Sequence, residues 1–235
     1  MTAPALAVRL ATLHESLGFA AERFDGGPSL GGRAAILPSA FNPPTRAHLA
    51  LLELARDEPD ISHVAALLST NNVDKQVYGA PLAHRLAMLL ELSHGRPWLA
   101  VVAANAARLA DQGLALGAAF PDTQFDFVVG FDTLVRVFDP RYYEDTDAEL
   151  DAFFAVHRLI AVNRAQATAA AVEEYCSRSP AGRFRDRILV RRLGESHAWM
   201  SSSSVRGSIG RGEPTDALTP EVERYIHEHG LYGEA

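Results

Sequence analysis

The chain has a single cysteine, Cys176, and a single lysine, Lys75, in 235 residues. A lone cysteine excludes an internal disulfide and suits a reducing compartment, so a cytoplasmic location is expected. Long hydrophobic runs are missing too, and no membrane-spanning helix is expected without about 18 consecutive apolar residues. The opening stretch, MTAPALAVRLATLHESLGFAAERF, interrupts its apolar positions with Arg9, His14, Glu15, Glu22 and Arg23. That pattern reads as an amphipathic helix, whereas a signal peptide needs an unbroken apolar stretch. Basic excess is also lacking. The formal charge is −7, from 29 acidic and 22 basic residues, which argues against general binding to nucleic-acid backbones. Internal repeats and low-complexity tracts are not found, and nothing in the sequence indicates an oligomeric state.

What is present is enough apolar material for a large core, 48% of residues. The length suits a single α/β domain over 33–235, preceded by a helical extension over 1–32. Short apolar runs alternate with amphipathic stretches. Ala34–Leu37, His63–Leu68, Trp98–Ala103, Phe125–Val129, Leu159–Val162 and Ile188–Val190 read as buried strands. Thr45–Arg56, Leu82–Leu92, Ala106–Leu116 and Thr219–His229 read as helices, the last with Pro220 in its first turn and Gly230 after its end. Apolar strands each followed by a helix predict a Rossmann-like, doubly wound parallel sheet. The acidic and aromatic segment 139–151 breaks this rhythm and reads as a loop or short helix over the sheet edge. Ligands of such sheets bind beyond the carboxyl ends of the strands, at a switch in strand order.

The segment Ser39-Ala40-Phe41-Asn42-Pro43-Pro44-Thr45-Arg46-Ala47-His48 runs from a strand through a rigid turn into a helix. Thr45 can cap that helix, the free N–H groups of its first turn form an anion site, and His48 lies on the same side as Thr45. A capped helix with His48 satisfied in the interior is the plainer reading of this segment alone. A second helix start stands at Met200-Ser201-Ser202-Ser203-Ser204-Val205-Arg206. Ser202 or Ser203 would cap it, and Arg206, one turn in, would offer a planar cation to phosphate oxygens. Paired helix-start phosphate sites in one sheet protein point to phosphoryl chemistry.

These segments resemble the nicotinamide- and nicotinate-mononucleotide adenylyltransferases of the HxGH nucleotidyltransferase superfamily. SAFNPPTRAH is similar to the family's GSFNPxTxxH, with Thr45 in the place of the first histidine and His48 as the second. MSSSSVR is similar to ISSTxxR, which puts Ser202, Ser203 and Arg206 on phosphate-binding positions. Gly130-Phe131-Asp132-Thr133-Leu134 matches GxDxL, Leu159–Arg164 matches LIxVxR, and Tyr225–Tyr232 matches YIxxHxLY, in the family's order.

The resemblance implies an enzyme that moves AMP from ATP to a pyridine mononucleotide with release of pyrophosphate, Mg²⁺ arriving on the ATP. His48 and Arg206 would stabilise the charge that develops, with Thr45 and Lys75 assisting at the phosphates. Ser39, Ala40, Phe41, Gly130, Asp132 and Arg164 would line the nucleotide, Asp132 holding a ribose hydroxyl. Asn42, Tyr142 and Tyr143 would face the acceptor, Tyr143 either as a stacking surface or as lid packing. No metal site belonging to the protein itself is expected. The chain departs from the family at Ser39-Ala40, where Gly-Ser or Gly-Thr is usual, and at Ala103-Ala104-Asn105, where a Trp usually follows. A related transferase with another phosphate-ester acceptor, or a nucleotide sensor without turnover, are the competing readings.

Overall fold

The computed structural model describes residues 2–71, 79–164 and 167–233. Its strands are β1 (Ala21–Arg23), β2 (Gly32–Ser39), β3 (His63–Ser69), β4 (Leu99–Ala104), β5 (Thr123–Gly130), β6 (Arg158–Val162) and β7 (Ile188–Arg191). The helices of the first half are α1 (Ala3–His14), α2 (Arg46–Arg56), α3 (Leu82–Ser93) and α4 (Leu109–Ala119). Those of the second half are α5 (Phe131–Val137), α6 (Thr146–Val156), α7 (Ala169–Cys176), α8 (Glu195–Ala198), α9 (Ser202–Gly210) and α10 (Pro220–Glu228).

The strands form one sheet in the order β1-β4-β3-β2-β5-β6-β7. All neighbours are parallel except β1, which runs antiparallel to β4. This is the doubly wound α/β arrangement expected from the alternating apolar runs. Strand pairs grow outward from β2 on one side and from β5 on the other, so the order reverses between them. Pairing of β2 with β5 stops at Ile36 and Phe127, whereas β2 follows β3 as far as Ser39 and β5 follows β6 as far as Gly130. Beyond Ile36 the two central strands part, and a crevice opens between their carboxyl ends.

Alternation along β2 divides the core. Ala35 and Leu37 face a layer built with Leu10, Leu52, Leu86 and Met88 from α1, α2 and α3. Ala34 and Ile36 face an aromatic layer that includes Phe125, Phe127, Phe153 and Phe154. Both faces being covered explains why the central strands lack polar alternation. The segment before residue 33 joins this structure: Leu6, Leu10 and Leu13 are buried, and β1 extends the sheet past β4.

The 139–151 region holds more structure than its composition foretold. A 3₁₀ turn at Pro140–Tyr142 leads to α6, a full helix of 11 residues capped by Asp145, whose side chain accepts from Ala148 N–H. Its acidic residues are used in ion pairs: Arg183 binds Asp147 and Asp151, and Arg108 binds Glu149. A sequence pattern dominated by charge hid the buried face of Leu150, Phe153 and Phe154.

Candidate active site

A cleft of about 1100 Å³ occupies the crevice between the ends of β2 and β5. It is lined by Pro38 and Ser39 of β2, by Ala40 just beyond that strand, and by Val129 and Gly130 of β5. Five arginines reach its wall, Arg85, Arg108, Arg136, Arg164 and Arg206, against one carboxylate among the described residues, Asp132. An acidic protein thus carries a cationic cleft, which focuses field on anionic ligands.

Beyond β2 the chain turns sharply. Phe41 adopts φ 43°, a left-handed conformation rare for a side chain of this size, and its ring is wholly buried. The turn is clamped from several sides. Asn42 Oδ1 accepts from Ala80 N–H at 3.2 Å and from the Tyr232 hydroxyl at 2.9 Å. Gly79 (φ 83°) makes this possible, since a Cβ there would fall 2.7 Å from the Asn42 amide. Arg85, 2% exposed, donates to Ala80 O at 2.7 Å and to Ala40 O at 3.5 Å.

The helix that follows starts with a reciprocal arrangement of Thr45 and His48. His48 Nδ1 accepts from Thr45 N–H at 3.0 Å, and the Thr45 hydroxyl lies 2.9 Å from the same nitrogen. A backbone N–H can only donate, so Nδ1 carries no proton and the neutral ring holds its hydrogen on Nε2. That Nε2–H reaches Ser39 Oγ at 3.1 Å. Burial, with Arg164 nearby, pushes the His48 pKa down to about 3. The imidazole is therefore a neutral donor. Thr45, 1% exposed, stands behind the ring and is not among the residues that line the cleft.

The second helix start meets this turn. Ser201 caps α9 by accepting from Ser204 N–H at 3.1 Å, which corrects the expected cap at Ser202 or Ser203. Capping by Ser201 releases the next two serines: Ser202 Oγ donates to Pro43 O at 2.8 Å, and Ser203 lines the cleft. Arg206 donates from Nη1 to Asn42 O at 2.5 Å and from Nη2 to Ser203 Oγ at 3.2 Å. Ser202 and Arg206 thus tie α9 to the turn that precedes α2.

Across the parting, Asp132 lies in the first turn of α5, and Arg164 follows β6. Gly130 leaves space for both: a Cβ would fall 2.9 Å from Asp132 Oδ1 and 3.1 Å from Arg164 Cδ. Tyr142 and Tyr143 line the same cleft. The Tyr143 hydroxyl donates to Val137 O at 2.5 Å, the Arg108 guanidinium lies 5.9 Å from its ring centre, and burial raises its pKa to about 12. Asn105, in place of the expected Trp, is spent on the N-terminal segment, accepting from Ala20 N–H at 2.7 Å and donating to Gly18 O at 2.9 Å.

Of the sequence-derived site residues, Ser39, Ala40, Phe41, Asn42, His48, Gly130, Asp132, Tyr142, Tyr143, Arg164, Ser202, Ser203 and Arg206 all line this cleft. Lys75 lies outside the described residues. Sequence reasoning gave no role to Arg85, Arg108 or Arg136. Arg85 could have been found as a lone charge among the buried Ala83, Leu86 and Ala87 of α3.

Residues 36–207 match the model of the cytidylyltransferase-like family. A probable nicotinate-nucleotide adenylyltransferase of Bordetella petrii is 31% identical over 206 residues, covering 85% of this chain and 98% of that protein. A putative nicotinamide mononucleotide adenylyltransferase of Schizosaccharomyces pombe is 30% identical over 134 residues, 55% of this chain and 52% of that one. In fold, the chain is similar to a Plasmodium falciparum nicotinic acid mononucleotide adenylyltransferase complexed with NaAD. The TM-score is 0.65 at 14% identity, over 86% of this chain and 97% of that one. Matching over most of its length, the chain belongs to the cytidylyltransferase-like family and is a nucleotidyltransferase.

Proposed function

We propose that the protein transfers AMP from ATP to a pyridine mononucleotide, nicotinate mononucleotide first and its amide second, releasing pyrophosphate. The observation that carries this reading is the meeting of two helix N-termini at the switch point, fastened through Arg206 and Asn42. The start of α9 brings Ser202 and Ser203 into the cleft at a helix end that favours phosphate, while at the start of α2 the first N–H groups are held within the protein, Thr45 N–H by His48 Nδ1 and Arg46 N–H by Ala217 O at 2.8 Å. The nicotinate form is put first because the relative matched over nearly its whole length carries that name.

In the reaction an oxygen of the acceptor's phosphate bonds to the α-phosphorus of ATP. The bond from that phosphorus to the bridging oxygen breaks, and its electron pair leaves with pyrophosphate. No protein nucleophile is needed, so catalysis is placement of reactants and of donors toward the growing charge. Arg206, Arg164 and the start of α9 serve the triphosphate of the donor nucleotide. His48 contributes as a neutral donor and transfers no proton. Asp132 is placed to accept from a ribose hydroxyl, and Mg²⁺ enters as part of the ATP complex. The wall of Arg108, Tyr142 and Tyr143 is left for the acceptor.

The test is pyrophosphate release from ATP and Mg²⁺ with nicotinate mononucleotide, nicotinamide mononucleotide and phosphopantetheine, and with CTP as a second donor. Turnover with a pyridine mononucleotide, lost in His48→Ala and Arg206→Ala, supports the reading. Turnover with phosphopantetheine or CTP alone overturns the acceptor or the donor. ATP binding without turnover on any acceptor would mean a sensor.

A further inference from the structure

At the edge of the cleft His48 is engaged by a second lining residue, Ser39. The imidazole is 2% exposed, and its one proton, on Nε2, is directed at Ser39 Oγ. Ser39 is the last residue of β2, partly exposed, lining the cleft where β2 has left β5. Its oxygen accepts from His48, so its own hydrogen must point elsewhere. Among the described residues no acceptor for that hydrogen is found. A run of donors follows: Thr45 N–H to His48 Nδ1, His48 Nε2–H to Ser39 Oγ, and Ser39 O–H into the cleft. Each bond in such a chain polarises the next, so the terminal hydroxyl becomes a better donor than an isolated serine.

The orientation of the chain is fixed at its buried end. Thr45 N–H cannot accept, so the series cannot run in reverse without breaking that bond. The cationic surroundings favour an anion at the open end, and Ser202, Ser203 and Arg206 of α9 line the same cleft.

We propose that Ser39 is a catalytic residue, its hydroxyl donating to a non-bridging oxygen of the α-phosphoryl group while His48 holds it in place. The inference rests on the nucleotidyl-transfer reading and goes beyond it by moving the direct contact from the imidazole to the serine. No proton is transferred. A hydrogen bond to an oxygen that gains charge strengthens in the transition state, which raises kcat more than it lowers KM.

The experiment is steady-state kinetics and thermal melting of Ser39→Ala, Ser39→Thr and Ser39→Gly, alone and combined with His48→Ala. The expected result is a fall in kcat of about 10- to 100-fold for S39A, the range of one hydrogen bond to a charged group. S39T, which keeps the hydroxyl, should retain kcat within about threefold, a difference smaller than one neutral hydrogen bond. In the H48A background S39A should have little further effect, since both changes break one chain. If S39A or S39G turns over as fast as the native enzyme or faster, Ser39 merely occupies the imidazole between cycles and the proposal fails. Independent, multiplying losses in the double variant would also overturn it. Wild-type turnover with the acceptor panel reports the transfer reading separately, so the two cannot fail unnoticed together.

Discussion

Arg206 Nη1 donates to the main-chain oxygen of Asn42 at 2.5 Å, joining α9 to the turn that precedes α2. The same guanidinium reaches Ser203 Oγ at 3.2 Å from its other terminal nitrogen. A planar fork can keep such a tie while turning a further N–H toward phosphate; an ammonium at the end of a flexible stem cannot. Arg206→Lys should therefore lower kcat/KM for ATP about 10- to 100-fold, although charge is conserved. Arg206→Ala should lower kcat by about 10²- to 10³-fold, as expected for removing a preorganised donor. An R206K enzyme with native kinetics would mean that only the charge matters.

The state of His48 gives a pH prediction. With a folded pKa pushed to about 3, the ring is neutral throughout the range in which the enzyme would be assayed. The kcat profile should show no loss near pH 6.5, where an ordinary histidine titrates. Stability behaves differently. Below pH 6.5 the unfolded chain takes up a proton at His48 and the folded protein does not, so this contribution is complete above 6.5 and is lost as pH falls toward 3. Thermal melts from pH 8 to pH 4 should show a shallower acid decline in His48→Gln than in the native protein. An equal decline in both would place the acid sensitivity elsewhere.

How much of this could be read beforehand differs from residue to residue. Ala34–Leu37 and Leu159–Val162 were legible as buried strands because burial on both faces leaves an unbroken apolar run. His48 was legible as a candidate site residue only through the family resemblance, since its spacing to Thr45 alone left an interior histidine equally open. Its tautomer was not, because that depends on Thr45 N–H and Ser39 Oγ meeting the ring from opposite ends. Four consecutive serines hid which one caps α9, since each has the same local chemistry and only the docking of Ser202 on Pro43 separates them. The three-residue β1 carries too little pattern to be seen, and its place is set by pairing with β4. Tyr232 showed as a family match, yet its bond to Asn42 joins residues far apart in the chain, and local periodicity does not report such contacts.

Tyr143 separates structural support from ligand contact. Its hydroxyl donates to Val137 O, and its ring packs against the aromatic layer while one part lines the cleft. Tyr143→Phe removes one hydrogen bond and keeps the ring. It should cost about 1 kcal/mol, or about 2–4 °C in melting temperature for a domain of this size, with acceptor KM nearly unchanged. Tyr143→Ala should raise acceptor KM and leave ATP KM within about twofold, because stacking on the ring is worth about 1 kcal/mol. A rise in acceptor KM in Y143F would assign recognition to the hydroxyl instead.

Gly130 provides the cleanest steric test. It ends β5 with φ −73° and ψ 163°, a conformation open to any residue, so backbone strain plays no part in a substitution. The obstacle is contact: a Cβ would fall 2.9 Å from Asp132 Oδ1 and 3.1 Å from Arg164 Cδ. Both neighbours are side chains that can swing away, so Gly130→Ala should fold with little change in melting temperature. Moving them displaces the carboxylate and guanidinium that the proposed function sets against the donor nucleotide, and a misplacement of about 1 Å can cost about 100-fold in rate. ATP KM should rise and kcat should fall, while acceptor KM stays near native. Gly31→Ala, where nothing lies within 4 Å of the added carbon, is the matched control and should be silent in kinetics. If G130A matched it, the placement of Asp132 and Arg164 against the nucleotide would be wrong, and the donor base and ribose would have to lie elsewhere in the cleft.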